Sequence, residues 1–279
     1  MIATVNGIRL AYSDTGEGSP VVLLVHGFPL NRSMWDPQRG ALRSIGARVI
    51  APDLRGFGAS EAGPAGPLTM DQHADDLVGL LDALGVGVPV VYVGLSMGGY
   101  VGFAVWRRHP ERVRAFVLAD TRATADTPAG RNDRLRIALL AEELDSPQPA
   151  IEAMLPRLFS PHLRAGALPE RLVRGMMASS SPRAVADGQR GLAARPDSVA
   201  TLATIDVPTL VIVGEHDVLT PPEEARRIAE GIPGARLVTI DQAGHMSNLE
   251  NAEAFNEALL GFLRKLGGGG KLAGRGARE

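Results

Sequence analysis

The stretch Val90-Val91-Tyr92-Val93-Gly94-Leu95-Ser96-Met97-Gly98-Gly99 decides how the rest of the chain is read. Its first six residues form a short run rich in β-branched side chains, the pattern of a strand buried on both faces. Gly94-x-Ser96-x-Gly98 then bends the chain sharply, and a helical pattern follows. The two glycines leave room where a Cβ would meet neighbouring backbone. The Ser96 hydroxyl is therefore lifted outward at a helix N-terminus, where the dipole and unpaired N–H groups favour developing negative charge. A serine presented in this way points to nucleophilic chemistry.

Similar apolar runs stand at Val21–Val25, Arg48–Ala51, Val113–Ala119, Thr209–Val213 and Arg236–Ile240. Helical patterns separate several of them. Met70–Leu84 carries Leu77, Leu80, Leu81 and Leu84 on one face, and Phe255, Leu259, Phe262, Leu263 and Leu266 make a comparable stripe near the end. This order predicts an α/β fold with a mostly parallel, doubly wound sheet. Asn6-Gly7, inside Ala3–Asp14, suits a type I′ hairpin turn ahead of it. Residues 122–204 break the rhythm: they hold eight prolines and no strong strand run. Amphipathic pieces at Arg134–Leu144 and Ile151–Phe159 predict a helical cap or lid inserted between two strands. The core is then 1–121 and 205–266. The Gly-rich stretch 267–279 is expected to be a disordered tail.

Composition narrows the function classes. Of 279 residues, 45% are apolar and 22% charged, which suits a folded globular chain. There are no cysteines, so disulfides, thiolate metal sites and a cysteine nucleophile are excluded. The formal net charge of -2 gives no broad basic field for nucleic acid or anionic membrane. No apolar run approaches a membrane span. The N-terminal residues lack a basic stretch followed by an apolar one, so a cytoplasmic protein without a signal peptide is expected. No phosphate-binding glycine loop stands in the right context, and no His/Asp/Glu cluster has metal spacing, so neither a cofactor nor a metal is expected.

A serine needs a base. Of the six histidines, His245 sits just after the last strand and before the last helix, on the edge where parallel sheets gather catalytic groups. His26 also follows a strand, but Gly27 and Pro29 suggest that its loop serves through backbone. His73, His109 and His162 are expected on helix surfaces or in the insertion, solvated. The carboxylate that orients the imidazole is expected to be Asp217, after the strand Thr209–Val213; Asp120 is its rival and Glu215 a weaker candidate. An oxyanion would be held by the Met97 amide and a second N–H from the loop His26-Gly27-Phe28-Pro29. Pro29 has no N–H, so Phe28 is assigned.

These residues resemble the α/β-hydrolase family. The similarity rests on His26-Gly27-Phe28-Pro29, Asp53-Leu54-Arg55-Gly56-Phe57-Gly58, the Ser96 turn, Asp217 and His245, in that order along the chain. Small bacterial carboxylesterases are the most similar members. Asp120-Thr121-Arg122-Ala123, Arg195-Pro196-Asp197-Ser198 and Pro221-Pro222-Glu223-Glu224 add to that resemblance. It implies a small-molecule ester substrate, an acyl-enzyme on Ser96, and short to medium acyl chains. Enol-lactonases share the same core, as do hydrolase-like ligand receptors, which stand as alternatives. Dehalogenases and epoxide hydrolases of this family carry Asp where this chain has Ser96, which argues against both activities.

Overall fold

The computed structural model describes residues 1–268; its last helix includes Gly267 and Gly268, which corrects the disordered tail expected from 267, and the rest of that stretch, 269–279, lies outside the described residues. Asn6 and Gly7 both adopt positive φ (46° and 75°), closing the hairpin between β1 (Ile2–Val5) and β2 (Ile8–Asp14). The chain continues through β3 (Val21–Val25), α1 (Asp36–Ser44), β4 (Arg48–Pro52), α2 (Met70–Ala83), β5 (Val90–Leu95), α3 (Met97–Arg108) and β6 (Val113–Ala119). Five helices follow: α4 (Pro128–Glu143), α5 (Gln148–Met154), α6 (Leu168–Ala178), α7 (Pro182–Ala193) and α8 (Val199–Leu202). The last elements are β7 (Thr209–Gly214), α9 (Pro222–Gly231), β8 (Arg236–Ile240), α10 (Ser247–Glu250) and α11 (Ala252–Gly268). The eight strands form one sheet in the order β1-β2-β4-β3-β5-β6-β7-β8. The hairpin and the β2/β4 pair are antiparallel, and all other pairs are parallel.

Strand periodicity divides the core in two. On β3, Val22 and Leu24 face Trp35, Leu42, Phe255 and Leu259, whereas Leu23 and Val25 belong with Leu77, Leu80 and Phe103 on the other side. Helices cover both faces, which is why the central strands are continuously apolar. Burial of a Leu or Phe side chain contributes on the order of 2 kcal/mol.

Between β6 and β7 no strand forms, and the prolines there mostly begin helices. Pro128 and Pro182 open α4 and α7 behind the N-caps Thr127 and Ser181, whose side chains accept from the Gly130 and Ala184 amides at 3.2 and 3.1 Å. α4 and α7 pack together through Ile137, Ala141, Ala184 and Val185. α4 starts six residues before the amphipathic stretch read from the sequence, because residues 128–133 carry no apolar periodicity. Among the described residues, no helix is long and apolar enough to cross a membrane.

Two buried ion networks anchor the loops beside the sheet. Arg55 forms a two-pronged pair with Asp76, both bonds 2.7 Å, and Asn6 adds a third contact to that carboxylate at 3.0 Å. Asp53 accepts from the Arg32 and Ala59 amides, each at 2.8 Å, and pairs with the Arg32 guanidinium.

Candidate active site

Ser96 stands at the C-terminal end of central strand β5 with φ +54° and ψ −114°. A non-glycine residue at positive φ is held there only by its surroundings. A Cβ on Gly98 would strike the Val25 carbonyl oxygen, and one on Gly94 would strike Gly98 itself, so both neighbours must be glycine. The Tyr92 hydroxyl donates to the Gly98 carbonyl (2.6 Å), and the Thr121 hydroxyl donates to the Ser96 carbonyl (2.8 Å). The Ser96 amide donates to Ala119 (3.0 Å). β6 and its following loop thus pin the turn.

His245 and Asp217 lie in the loops after β8 and β7, and both are buried. His245 Nδ1 is 2.8 Å from Asp217 Oδ2. Asp217 also accepts from the Leu219 amide (2.8 Å), the Thr220 amide (2.9 Å) and the Thr220 hydroxyl (2.6 Å). Burial alone would raise its pKa, yet the neighbouring His245 and these donors hold the carboxyl below its ordinary range. With Nδ1 engaged by the carboxylate, Nε2 is left for a proton from outside.

Phe28, Ser96, Met97 and His245 line one cavity of about 470 Å³. Met97 heads α3, while Phe28 comes from the loop after β3, so two strand-to-helix connections meet at the serine. The opposite wall comes from the insertion and includes Arg122, Asp126, Arg134, Ile137, Met154 and Gln189. Among the described residues, no group of three or more His, Asp or Glu side chains is placed to hold a metal ion.

The rival acids lie elsewhere. Asp120 is buried at φ +44°. It accepts from the Gly214 amide (2.8 Å) and contacts the Ser247 hydroxyl, not His245. Burial, with the Asp217 charge behind it, pushes its carboxyl well above the ordinary range. Glu215 is exposed and accepts from the Gln242 amide at 3.0 Å. The His26 side chain organises backbone: Nε2 accepts from the Leu54 amide and Nδ1 donates to the Gly27 carbonyl, both at 2.9 Å.

His73 corrects the sequence reading. It is fully buried and not solvated, its ring 6.5 Å from that of Phe57, and neither ring nitrogen has a partner. Burial drives its pKa down to about 3. His109 is half-buried and sits 2.8 Å from Asp75, so it too is paired and not simply solvated. His162 is exposed, with its Nε2 3.1 Å from that of His216.

Several residues at the site carried no sequence pattern. Thr220 touches both Asp217 and His245, the latter at 3.2 Å; its only cue is its place three residues after an aspartate, where a side-chain turn forms. The loop bearing His245 is also stitched to the end of the insertion's first half. The amides of Ser160 and Gly244 both donate to Glu250, at 3.1 and 2.8 Å, and the Met246 amide donates to the Leu158 carbonyl at 3.0 Å.

Known proteins share this architecture. The sequence profile that describes the alpha/beta hydrolase fold matches residues 20–252. A thermophilic esterase from Thermogutta terrifontis superposes with a TM-score of 0.90 at 42% identity, covering 95% of this chain and 98% of that one. The enol-lactonase from Burkholderia xenovorans LB400 gives a TM-score of 0.86 at 33% identity, covering 95% of this chain and all of that one (100%). A 2-hydroxymuconate semialdehyde hydrolase from Pseudomonas putida is 31% identical over 271 residues, covering 92% of this chain and 91% of that protein. A profile match across most of the chain, with relatives aligned end to end, establishes that the chain belongs to the α/β-hydrolase family.

Proposed function

We propose that the protein is a serine esterase cleaving carboxylic esters of short to medium acyl length, with Ser96 as nucleophile, His245 as base and Asp217 as the acid behind it. One observation carries this reading: Ser96 and His245 open onto the same cavity, and Asp217 stands 2.8 Å from the far nitrogen of His245. His245 takes the Ser96 proton as Oγ bonds to the ester carbonyl carbon. The oxyanion that forms lies between the amides of Phe28 and Met97. When the carbonyl–alkoxide bond breaks, His245 passes that proton to the leaving oxygen. A water then repeats the sequence in reverse roles: it gives a proton to His245, its oxygen bonds to the acyl carbon, and the acid leaves as Ser96 regains its proton.

A cavity of about 470 Å³ suits a small ester better than a long lipid chain. The similarity to an enol-lactonase favours including lactones, which are cyclic esters cleaved by the same steps. The test is turnover of aryl acetate, butyrate and hexanoate, with a simple lactone alongside. Sustained multiple turnover is expected, lost in Ser96→Ala, with an organophosphate label mapping to Ser96. A single slow burst would instead favour a ligand receptor, and a label on another residue would refute the assignment.

A further inference from the structure

The cavity wall opposite Ser96 carries an imbalance of charge. Three guanidinium groups converge on one buried carboxylate, Asp126. Arg195 reaches it at 2.6 and 3.0 Å, Arg134 at 2.5 Å and Arg122 at 3.4 Å. Burial works to raise the Asp126 pKa, but Arg195 and Arg134 hold it down to about 2. One negative charge therefore faces three positive ones. Other acidic groups do little to redress this. Glu224 bears on Arg122 but accepts the Thr124 hydroxyl at 3.0 Å and lies 3.9 Å from Arg227. Asp133 also lines the cavity, yet it is exposed and faces Arg136 at 3.5 Å.

The three arginines are not equivalent. Arg195 is buried, is consumed by Asp126 and by the Leu192 and Thr124 carbonyls, and lies over the Tyr100 ring at 4.4 Å. Its role is structural, and it does not line the cavity. Arg122 and Arg134 do. Arg134 uses Nε on Asp126 and Nη1 on Gln189, and Nη2 makes no hydrogen bond among the described residues. Arg122 Nε is shielded from water and has no partner. Half-buried guanidinium groups with open donors are matched by a carboxylate, which accepts them in a planar, charge-assisted arrangement. The apolar residues of the same cavity, Ile137, Met154, Leu192 and Leu219, give a methylene spacer something to lie on.

We propose that Arg122 and Arg134 form a carboxylate subsite, so that the preferred substrates are esters bearing a second, ionised carboxyl group, such as half-esters of dicarboxylic acids. This rests on the esterase reading and narrows its substrate class. The chemistry at Ser96 is unchanged, and the second carboxylate stays ionised throughout.

The test compares monomethyl adipate with methyl hexanoate, which share acyl length and leaving group, by pH-stat near neutrality. The half-ester should be favoured in kcat/KM by about 10–100-fold, the range of one charge-assisted contact, and high salt should shrink the gap. Arg134→Met and Arg122→Met should each collapse the ratio, mainly through KM, while Arg134→Lys keeps part of it; circular dichroism checks folding. Because Arg134 also holds Asp126, a second measurement uses only the wild-type protein: adipate should inhibit aryl acetate hydrolysis at far lower concentration than hexanoate. A ratio at or below one, or equal inhibition by the two acids, overturns the proposal. Loss of aryl ester turnover altogether would sink the esterase reading alone. Calorimetric titration with adipate would still decide the subsite, binding supporting it and no heat refuting it.

Discussion

Replacing Asp217 by asparagine should be far more damaging than the same change at Asp120, and the structure says why. Asp217 accepts four contacts, two from backbone amides on Oδ1 and two from the Thr220 hydroxyl and His245 Nδ1 on Oδ2. An asparagine keeping its oxygen toward the two amides turns its NH2 toward the histidine. Nδ1 must then accept, the proton moves to Nε2, and the ring can no longer take a proton from Ser96. In the Ser-His-Asp template this substitution lowers kcat by roughly 10⁴-fold, or about 5.5 kcal/mol. Asp120 differs. Burial and the Asp217 charge hold its carboxyl well above the ordinary range, so losing a negative charge costs less here than at Asp217. An amide accepts from the Gly214 amide as before and donates to Ser247 Oγ, and asparagine tolerates the positive φ. The expected loss is within about tenfold, the size of one altered hydrogen bond. The assay is kcat and KM for both variants on one aryl ester, with circular dichroism to confirm folding. A nearly dead Asp120→Asn beside a nearly normal Asp217→Asn would refute the assignment of the third member.

Thr220→Val removes the hydroxyl that donates to Asp217 while sparing the Thr220 amide; kcat should fall roughly 10–100-fold with little change in KM, measured by steady-state kinetics. His73 is held at about 3 against an ordinary 6.5, a depressed value, so the unfolded chain takes up its proton first and stability is lost as pH falls from about 6.5 toward 3. At pH 5 the loss is about 2 kcal/mol relative to neutrality, and His73→Leu should abolish that part of the acid sensitivity in urea melts; an unchanged slope between pH 7 and about 5 would refute it. Arg55→Met strands Asp76 in the interior with Asn6 as its remaining partner and should cost about 3–5 kcal/mol in the same melts.

The sheet and the serine turn were legible because both are local. Buried strands are continuous apolar runs, and the close approach of Gly98 to β3 admits one residue type. Phe28, Met97, Ser96 and His245 could each be placed at a strand end, and strand ends converge in a parallel sheet. What escaped was set by distant partners. His73 sits on a helix that presents it inward, toward Phe57 and His26; its place four residues before Leu77 and seven before Leu80 was the available signal for that face, set against the usual solvation of histidine. Two candidate aspartates at strand ends were separable only once Asp120 was seen to face Ser247. Arg122 and Arg134 were invisible as a pair, because their shared carboxylate depends on how the insertion folds back.

The link between residues 158–160 and the His245 loop bears on modularity. The insertion looks like a cassette that could be exchanged between relatives to alter substrate range, yet the Leu158 carbonyl accepts from the Met246 amide and the Ser160 amide donates to the Glu250 carboxylate. A graft cut at the ends of the helical segment would carry half of that seam and leave the other half behind. Recombination that preserves turnover should therefore move residues 241–250 together with the insertion, so the heritable unit is discontinuous in sequence although contiguous in space.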